Sequence, residues 1–230
     1  MKVTEVYSTV QGEGPFVGTP IVVLRTGVCN LQCSWCDTKY SWRKEYLSRL
    51  KNIDTDEKLD ELLDTILHLA NEKNINTILL TGGEPMIWQK DHYFVQLIHE
   101  LVHNMNFNIH VETNGTVPLI LGSEFKFISI SPKVGEYFRF YKNEAIQTYL
   151  KHPNKIFKFV VGTKDDVVQI TSFVDKFNLH NERIWLMPRG TNLSEMSDSI
   201  RIINDCKAQL KTYDINFEVS ERRHIILGVR

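Results

Sequence analysis

The chain has 230 residues, is 42% hydrophobic and carries a formal net charge of -1. That is enough apolar material for one large domain with a real core, and the balanced charge lacks the basic stripe that marks nucleic-acid binding. No run of about 18 apolar residues could span a membrane, and Met1 and Lys2 lead into a strand-like segment rather than a signal peptide, so a reduced, cytoplasmic setting with a small-molecule substrate is expected.

Short runs rich in Val, Ile and Phe predict strands at residues 21–25, 77–81, 108–112, 126–130, 156–161 and 184–187, with a seventh at 215–219. Between them, helical spacing covers residues 55–71, 89–103, 142–151, 165–177 and 193–210, with Asp54 or Thr55 as an N-cap. The alternation implies an α/β chain whose parallel strands are joined by crossover helices. About six repeats suit a partial, open parallel β/α barrel better than a closed eightfold one. No internal repeat, low-complexity tract or linker is visible, so residues 1–230 are expected to form a single domain.

Each polar cluster follows a strand: the cysteine loop after Arg25, TGGEP after Leu80, ETNG after Val111, SPK after Ile130 and MPRGTN after Leu186. Parallel α/β folds place their sites at such strand ends. The loop GVCNLQCSWCDT holds Cys29, Cys33 and Cys36, three of four cysteines in the chain. Three thiolates cannot saturate a four-iron cluster, so one iron would stay open. A zinc site is the first competitor, but zinc ordinarily takes four protein ligands and no second cysteine or histidine pair follows. A disulfide framework is disfavoured by so few cysteines. An open iron is where S-adenosylmethionine (SAM) binds in the radical SAM enzymes, a superfamily that this loop resembles.

The remaining motifs each admit two readings. Gly82 and Gly83 allow close backbone approach and Glu84 offers a carboxylate, yet TGGEP is also a tight strand-to-helix turn. Ser131, Pro132 and Lys133 either line a pocket or form a solvated loop, and Glu112 is either a carboxylate at the rim or part of an Asn-Gly turn segment. Near the start, Gln11 and Glu13 among glycines in QGEG present an amide and a carboxylate suited to the donor–acceptor edge of a heterocycle. Arg25, within IVVL, needs an anion, either a structural ion pair or a substrate carboxylate.

QGEG, Arg25, C-x3-C-x2-C followed by Asp37 and Thr38, GGEP, ETNG and SPK, in this order, resemble the 7-carboxy-7-deazaguanine synthase family over essentially the whole chain. The resemblance implies a radical SAM fold and the conversion of 6-carboxy-5,6,7,8-tetrahydropterin to 7-carboxy-7-deazaguanine with loss of ammonia, in queuosine and related deazapurine pathways. It implies a [4Fe-4S] cluster on Cys29, Cys33 and Cys36, and SAM, regenerated in each cycle, near Trp35, Cys36, Asp37, Gly82, Gly83, Glu84, Ser131, Pro132 and Lys133. Magnesium would sit at Thr38, and the pterin would meet Val10, Gln11, Gly12, Glu13, Arg25, Thr81, His224 and the terminal carboxylate of Arg230. A flavodoxin or ferredoxin-type electron donor and a homodimer also follow from the resemblance. Met187 stands where some members carry a SAM-contacting glutamine, and the Gly-Val-Arg ending differs from the proline or alanine ending associated with the family. A glycyl-radical activase shares the size and cysteine spacing, but has no need of QGEG or Arg25.

Overall fold

Ile21, Val22, Val23 and Leu24 are each at most 3% exposed, so β2 (Pro20–Thr26) is covered on both faces, as an unbroken apolar run requires. It lies in the first of two compact units, made of residues 1–10, 20–113 and 119–128; the second contains residues 11–19, 114–118 and those from 129 onward. The computed structural model describes residues 1–228 apart from the side chain of His224. The pterin contacts expected at the His224 side chain and at Arg230 therefore lie outside the described residues.

In the first unit the strand order is β3 (Lys51–Asn52), β1 (Lys2–Val10), β2, β4 (Thr77–Gly82) and β5 (Asn108–Thr113). β1 runs antiparallel to both neighbours, whereas β2, β4 and β5 are parallel. The register sets Glu5 beside Arg25 and Arg25 beside Thr81, which puts these polar groups on one face. α1 (Asp56–Glu72) starts where Thr55 Oγ1 accepts the Lys58 N–H, and Leu59, Leu62, Leu63, Ile66 and Ala70 form its buried stripe. The helix expected over residues 89–103 begins later, as α2 (His92–His99), because Asp91 accepts the Phe94 N–H and fixes the N-cap there. From Glu100 to Asn104 the chain continues as a π-helical turn.

β6 (Phe127–Ile130) starts in the first unit, and its last two residues belong to the second. The second unit contains α3 (Asn143–Leu150), β7 (Lys155–Val161), α4 (Lys164–Phe177), β8 (Ile184–Pro188), α5 (Leu193–Asp205), α6 (Lys207–Thr212), β9 (Phe217–Val219) and α7 (Arg223–Leu227). β7, β8 and β9 are parallel neighbours. The single helix expected over residues 193–210 is interrupted at Cys206, whose φ of -90° and ψ of -1° end α5. The turn buries Cys206 and Leu210 together.

The α/β class and the open, mostly parallel sheet match the expectation from sequence. Nine strands stand among the described residues; the seventh run expected at 215–219 forms the short β9, and the additions are β1 and the two-residue β3. No helix among the described residues is long and apolar enough to cross a membrane.

α4 is secured at both ends, by a Thr163–Asp166 capping box and by Asn178 in the left-handed region at φ 53°. Its Phe173 ring meets Phe138 and Tyr141 edge-on at 5.4 and 5.0 Å, Phe159 of β7 at 5.5 Å and Phe177 at 4.6 Å. Such a cluster holds helix to sheet through burial and ring-edge geometry together. Phe173→Ala is expected to destabilise the protein by about 3–5 kcal/mol in denaturant titration, as aromatic deletions from a packed core do.

Candidate active site

The cysteine loop leaves β2 through a strained residue. Val28 has φ 70°, a region that costs a β-branched side chain of order 1–3 kcal/mol, so surrounding bonds must hold it. Its N–H donates to Ser41 O at 2.7 Å and its carbonyl accepts the Glu84 N–H at 2.9 Å. The loop is thereby tied to a downstream turn and to the GGEP segment before any cysteine is engaged.

Beyond Val28, Cys33 is buried, Cys29 and Cys36 are half-buried, and none of the three is in a disulfide. Two sulfurs accept N–H donors, Cys29 Sγ from Leu31 at 3.4 Å and Cys36 Sγ from the Trp42 indole at 3.3 Å. Thr38 Oγ1 lies 3.5 Å from Cys36 Sγ. Burial, reinforced by the nearby Glu84, Cys33 and Cys36, pushes the Cys29 thiol up to about 12 against the opposing Leu31 N–H. A thiolate at Cys29 therefore calls for a cation, and iron would displace the proton. Among the described residues no three His, Cys, Asp or Glu groups are already closed around one metal point. Trp42 was missed from sequence, since a tryptophan six residues past a cysteine carries no motif.

GGEP meets the same loop from below. A Cβ on Gly83 would overlap the Val28 carbonyl and one on Gly82, at φ 134°, the Thr26 backbone. The Gly83 N–H instead donates to Thr26 O at 3.0 Å. What the paired glycines admit in this structure is the cysteine loop's own backbone. Glu84 is fully buried, and its Oε1 accepts the Met86 N–H at 3.0 Å and the Thr113 hydroxyl at 2.7 Å. These bonds bind GGEP to ETNG at the end of β5.

On the polar face of β1, β2 and β4, Arg25 Nε donates to Glu5 Oε1 at 2.7 Å and Nη2 lies 3.4 Å from the Tyr7 hydroxyl. Tyr40 donates to the same Glu5 oxygen at 2.8 Å. The structural ion pair anticipated as one reading of Arg25 is thus formed, along the Nε side of the guanidinium. Thr81 Oγ1 donates to Glu112 Oε2 at 3.1 Å.

In the second unit, Gln11 folds its Oε1 onto the Glu13 N–H at 3.1 Å, while the Gly12 carbonyl accepts the Arg223 N–H at 3.0 Å. The Gly14 N–H donates to Ser220 Oγ at 2.8 Å. Glu13 is held by two buried cations, Lys158 of β7 on Oε2 and Arg222 on Oε1, the latter at 3.2 Å. Arg222 also donates to Gly190 O at 2.6 Å. Neither cation was read from sequence, although Lys158 inside IFKFV carries the same signal as Arg25. Lys133 Nζ donates to Ser131 Oγ at 2.9 Å and the Lys133 N–H to the Tyr141 hydroxyl at 2.6 Å, so SPK is an internally bonded loop. Met187 is buried within β8.

The Radical SAM superfamily model matches residues 23–203. A 7-carboxy-7-deazaguanine synthase from Pyrobaculum aerophilum is 30% identical, over 98% of this chain and 94% of its own. Another so named, from Buchnera aphidicola, is 28% identical over 99% of this chain and 98% of its own. The chain belongs to the 7-carboxy-7-deazaguanine synthase family of the radical SAM superfamily. The crystal structure of QueE from Escherichia coli superposes with a TM-score of 0.66 at 24% identity, covering 96% of this chain and 92% of that one, and shows the same fold. Native anSMEcpe with bound AdoMet gives 0.54 at 14% identity, covering 89% and 65%.

Membership of the synthase family carries a [4Fe-4S] cluster and SAM, and the donor set fits the cluster: three cysteines on one loop outside any disulfide, two of them accepting N–H bonds at sulfur. Gly83→Ala is expected to push the cysteine loop off GGEP, lowering the melting temperature and the iron bound on anaerobic reconstitution, both read on one preparation. Lys158→Met, which strips one cation from buried Glu13, is expected to cost roughly 3 kcal/mol in denaturant titration, with part regained in the Lys158→Met, Glu13→Gln double variant.

Proposed function

We propose that this chain is a 7-carboxy-7-deazaguanine synthase, a radical SAM carbon–nitrogen lyase. It converts 6-carboxy-5,6,7,8-tetrahydropterin to 7-carboxy-7-deazaguanine by ring contraction with release of ammonia. The observation that carries the reading is the family relationship over almost the full chain, joined to three cysteines, none in a disulfide, on a loop braced by GGEP. When bound, the cluster and SAM supply an electron and a 5′-deoxyadenosyl radical that takes a hydrogen from the substrate, with SAM regenerated.

The protein's part is binding, orientation and charge placement. Cys29, Cys33 and Cys36 hold the cluster, with the Leu31 and Trp42 N–H groups donating to two of the sulfurs. Trp35, Cys36, Asp37, Gly82, Gly83, Ser131, Pro132 and Lys133 surround SAM. Glu84 serves the same site from inside its turn by fixing the backbone that meets the cysteine loop. Thr38 gives a hydroxyl oxygen to magnesium, a hard cation that takes few protein ligands.

Val10, Gln11, Gly12, Glu13, Thr81 and Arg25 receive the pterin. Glu5 steadies Arg25 from the Nε side and the Tyr7 hydroxyl lies by Nη2, so Nη1 is the nitrogen offered to a substrate carboxylate. His224 and Arg230 complete this set by family resemblance. Residues 1–230 act as one radical SAM domain, a reading supported by a family match that crosses both units. The enzyme works in the cytoplasm as a homodimer reduced by a flavodoxin or ferredoxin-type donor.

The test is direct. Reconstituted, reduced protein incubated anaerobically with SAM, magnesium and the carboxytetrahydropterin should yield 7-carboxy-7-deazaguanine by mass spectrometry. Cys33→Ala should lose both the cluster's absorbance and more than about a thousandfold in turnover, since the electron has no route to SAM. A fully loaded wild type that forms no deazaguanine refutes the reading.

A further inference from the structure

Lys158 and Trp185 are register partners on the parallel strands β7 and β8, so their side chains leave the sheet on the same face. The alternate residues, Phe157 and Phe159 on β7 and Ile184 and Leu186 on β8, point the other way, where Phe159 meets Phe173 of α4. Trp185 therefore lies on the face away from α4. On this face Lys158 reaches Glu13 of the QGEG loop.

Trp185 is 8% exposed, and its indole Nε1 is buried with no hydrogen-bond partner among the described residues. A buried N–H left unpaired is costly, and Phe would keep an aromatic ring there without that cost. An orphan donor kept in a packed strand is what a group reserved for a ligand looks like. The neighbouring carboxylate does not satisfy it, because Glu13 is bonded by Lys158 and Arg222.

We propose that Trp185 is a further substrate-binding residue, whose indole N–H donates to a carbonyl oxygen or ring nitrogen of a flat heterocycle seated over the Lys158–Trp185 face beside Gln11–Glu13. The chemistry suits a planar, acceptor-bearing ring: an indole supplies one directed N–H and an apolar surface, and Gln11 and Glu13 lie on the loop that Lys158 holds. The assignment rests on the synthase reading and deepens it. It adds a specificity contact on a strand far along the chain from Glu13. No local pattern marks it, because a tryptophan in a strand ordinarily reads as core.

The test compares wild type and Trp185→Phe, both reconstituted with cluster and SAM, for binding of 6-carboxy-5,6,7,8-tetrahydropterin by anaerobic calorimetry. Loss of one neutral hydrogen bond should weaken pterin binding roughly three- to tenfold. The melting temperature without pterin should hold or rise, since an unpaired donor has been removed. A purely structural tryptophan predicts the reverse, a lower melting temperature with unchanged affinity, and that result overturns the assignment. In wild type labelled with 15N at tryptophan, the Trp185 indole proton should move downfield on adding pterin, a readout that survives if the variant folds poorly. An unmoved proton in pterin-saturated wild type overturns the assignment alone. Wild type that binds no pterin overturns the synthase reading and this assignment together.

Discussion

The close passage of one backbone over another, Gly82–Gly83 beneath Thr26–Val28, is the constraint on which the first unit's chemistry depends. Side chains at either glycine would collide with main-chain atoms, which cannot move aside as a flexible side chain can. The contact closes two hydrogen bonds, Gly83 N–H to Thr26 O and Glu84 N–H to Val28 O, and the second holds Val28 in a conformation that it would otherwise leave. Cys29 follows immediately. The direction in which the first thiol is presented is thus decided by two glycines more than fifty residues downstream in the chain.

Charge is handled differently in the two units. Around Arg25 one cation meets one carboxylate, and two phenols complete the set, on a face shared by three adjacent strands. Around Glu13 two cations converge on one carboxylate that arrives on a loop. Buried ions are expensive unless they are paired with good geometry, so both groupings specify an arrangement more than they add net stability. Each fixes a segment that the family resemblance assigns to the pterin.

Most of the fold was legible because its strands are buried on both faces. Ile21–Leu24 and the apolar runs at residues 77–81 and 156–161 read as strands without knowledge of their neighbours. Helix ends were harder, since Asp91 resets the start of α2 through one side-chain bond, and the break at Cys206 lies inside an otherwise continuous pattern. The cysteine loop, GGEP and Arg25 announced themselves by composition. The partners of Glu13 did not, because Lys158 and Arg222 stand 145 and 209 residues away and only the folded chain brings them to it. Glu84 shows the opposite limit: its motif was plain, but burial turns the carboxylate toward Met86 and Thr113, which no local pattern reveals.

The turn at Val28 is held through Ser41, Thr26 and Glu84 main-chain atoms, while further along the loop Cys29 Sγ and Cys36 Sγ accept N–H bonds from Leu31 and Trp42. The first turn of the loop is therefore shaped by main-chain bonds, and iron would meet a partly formed site instead of having to order an open chain.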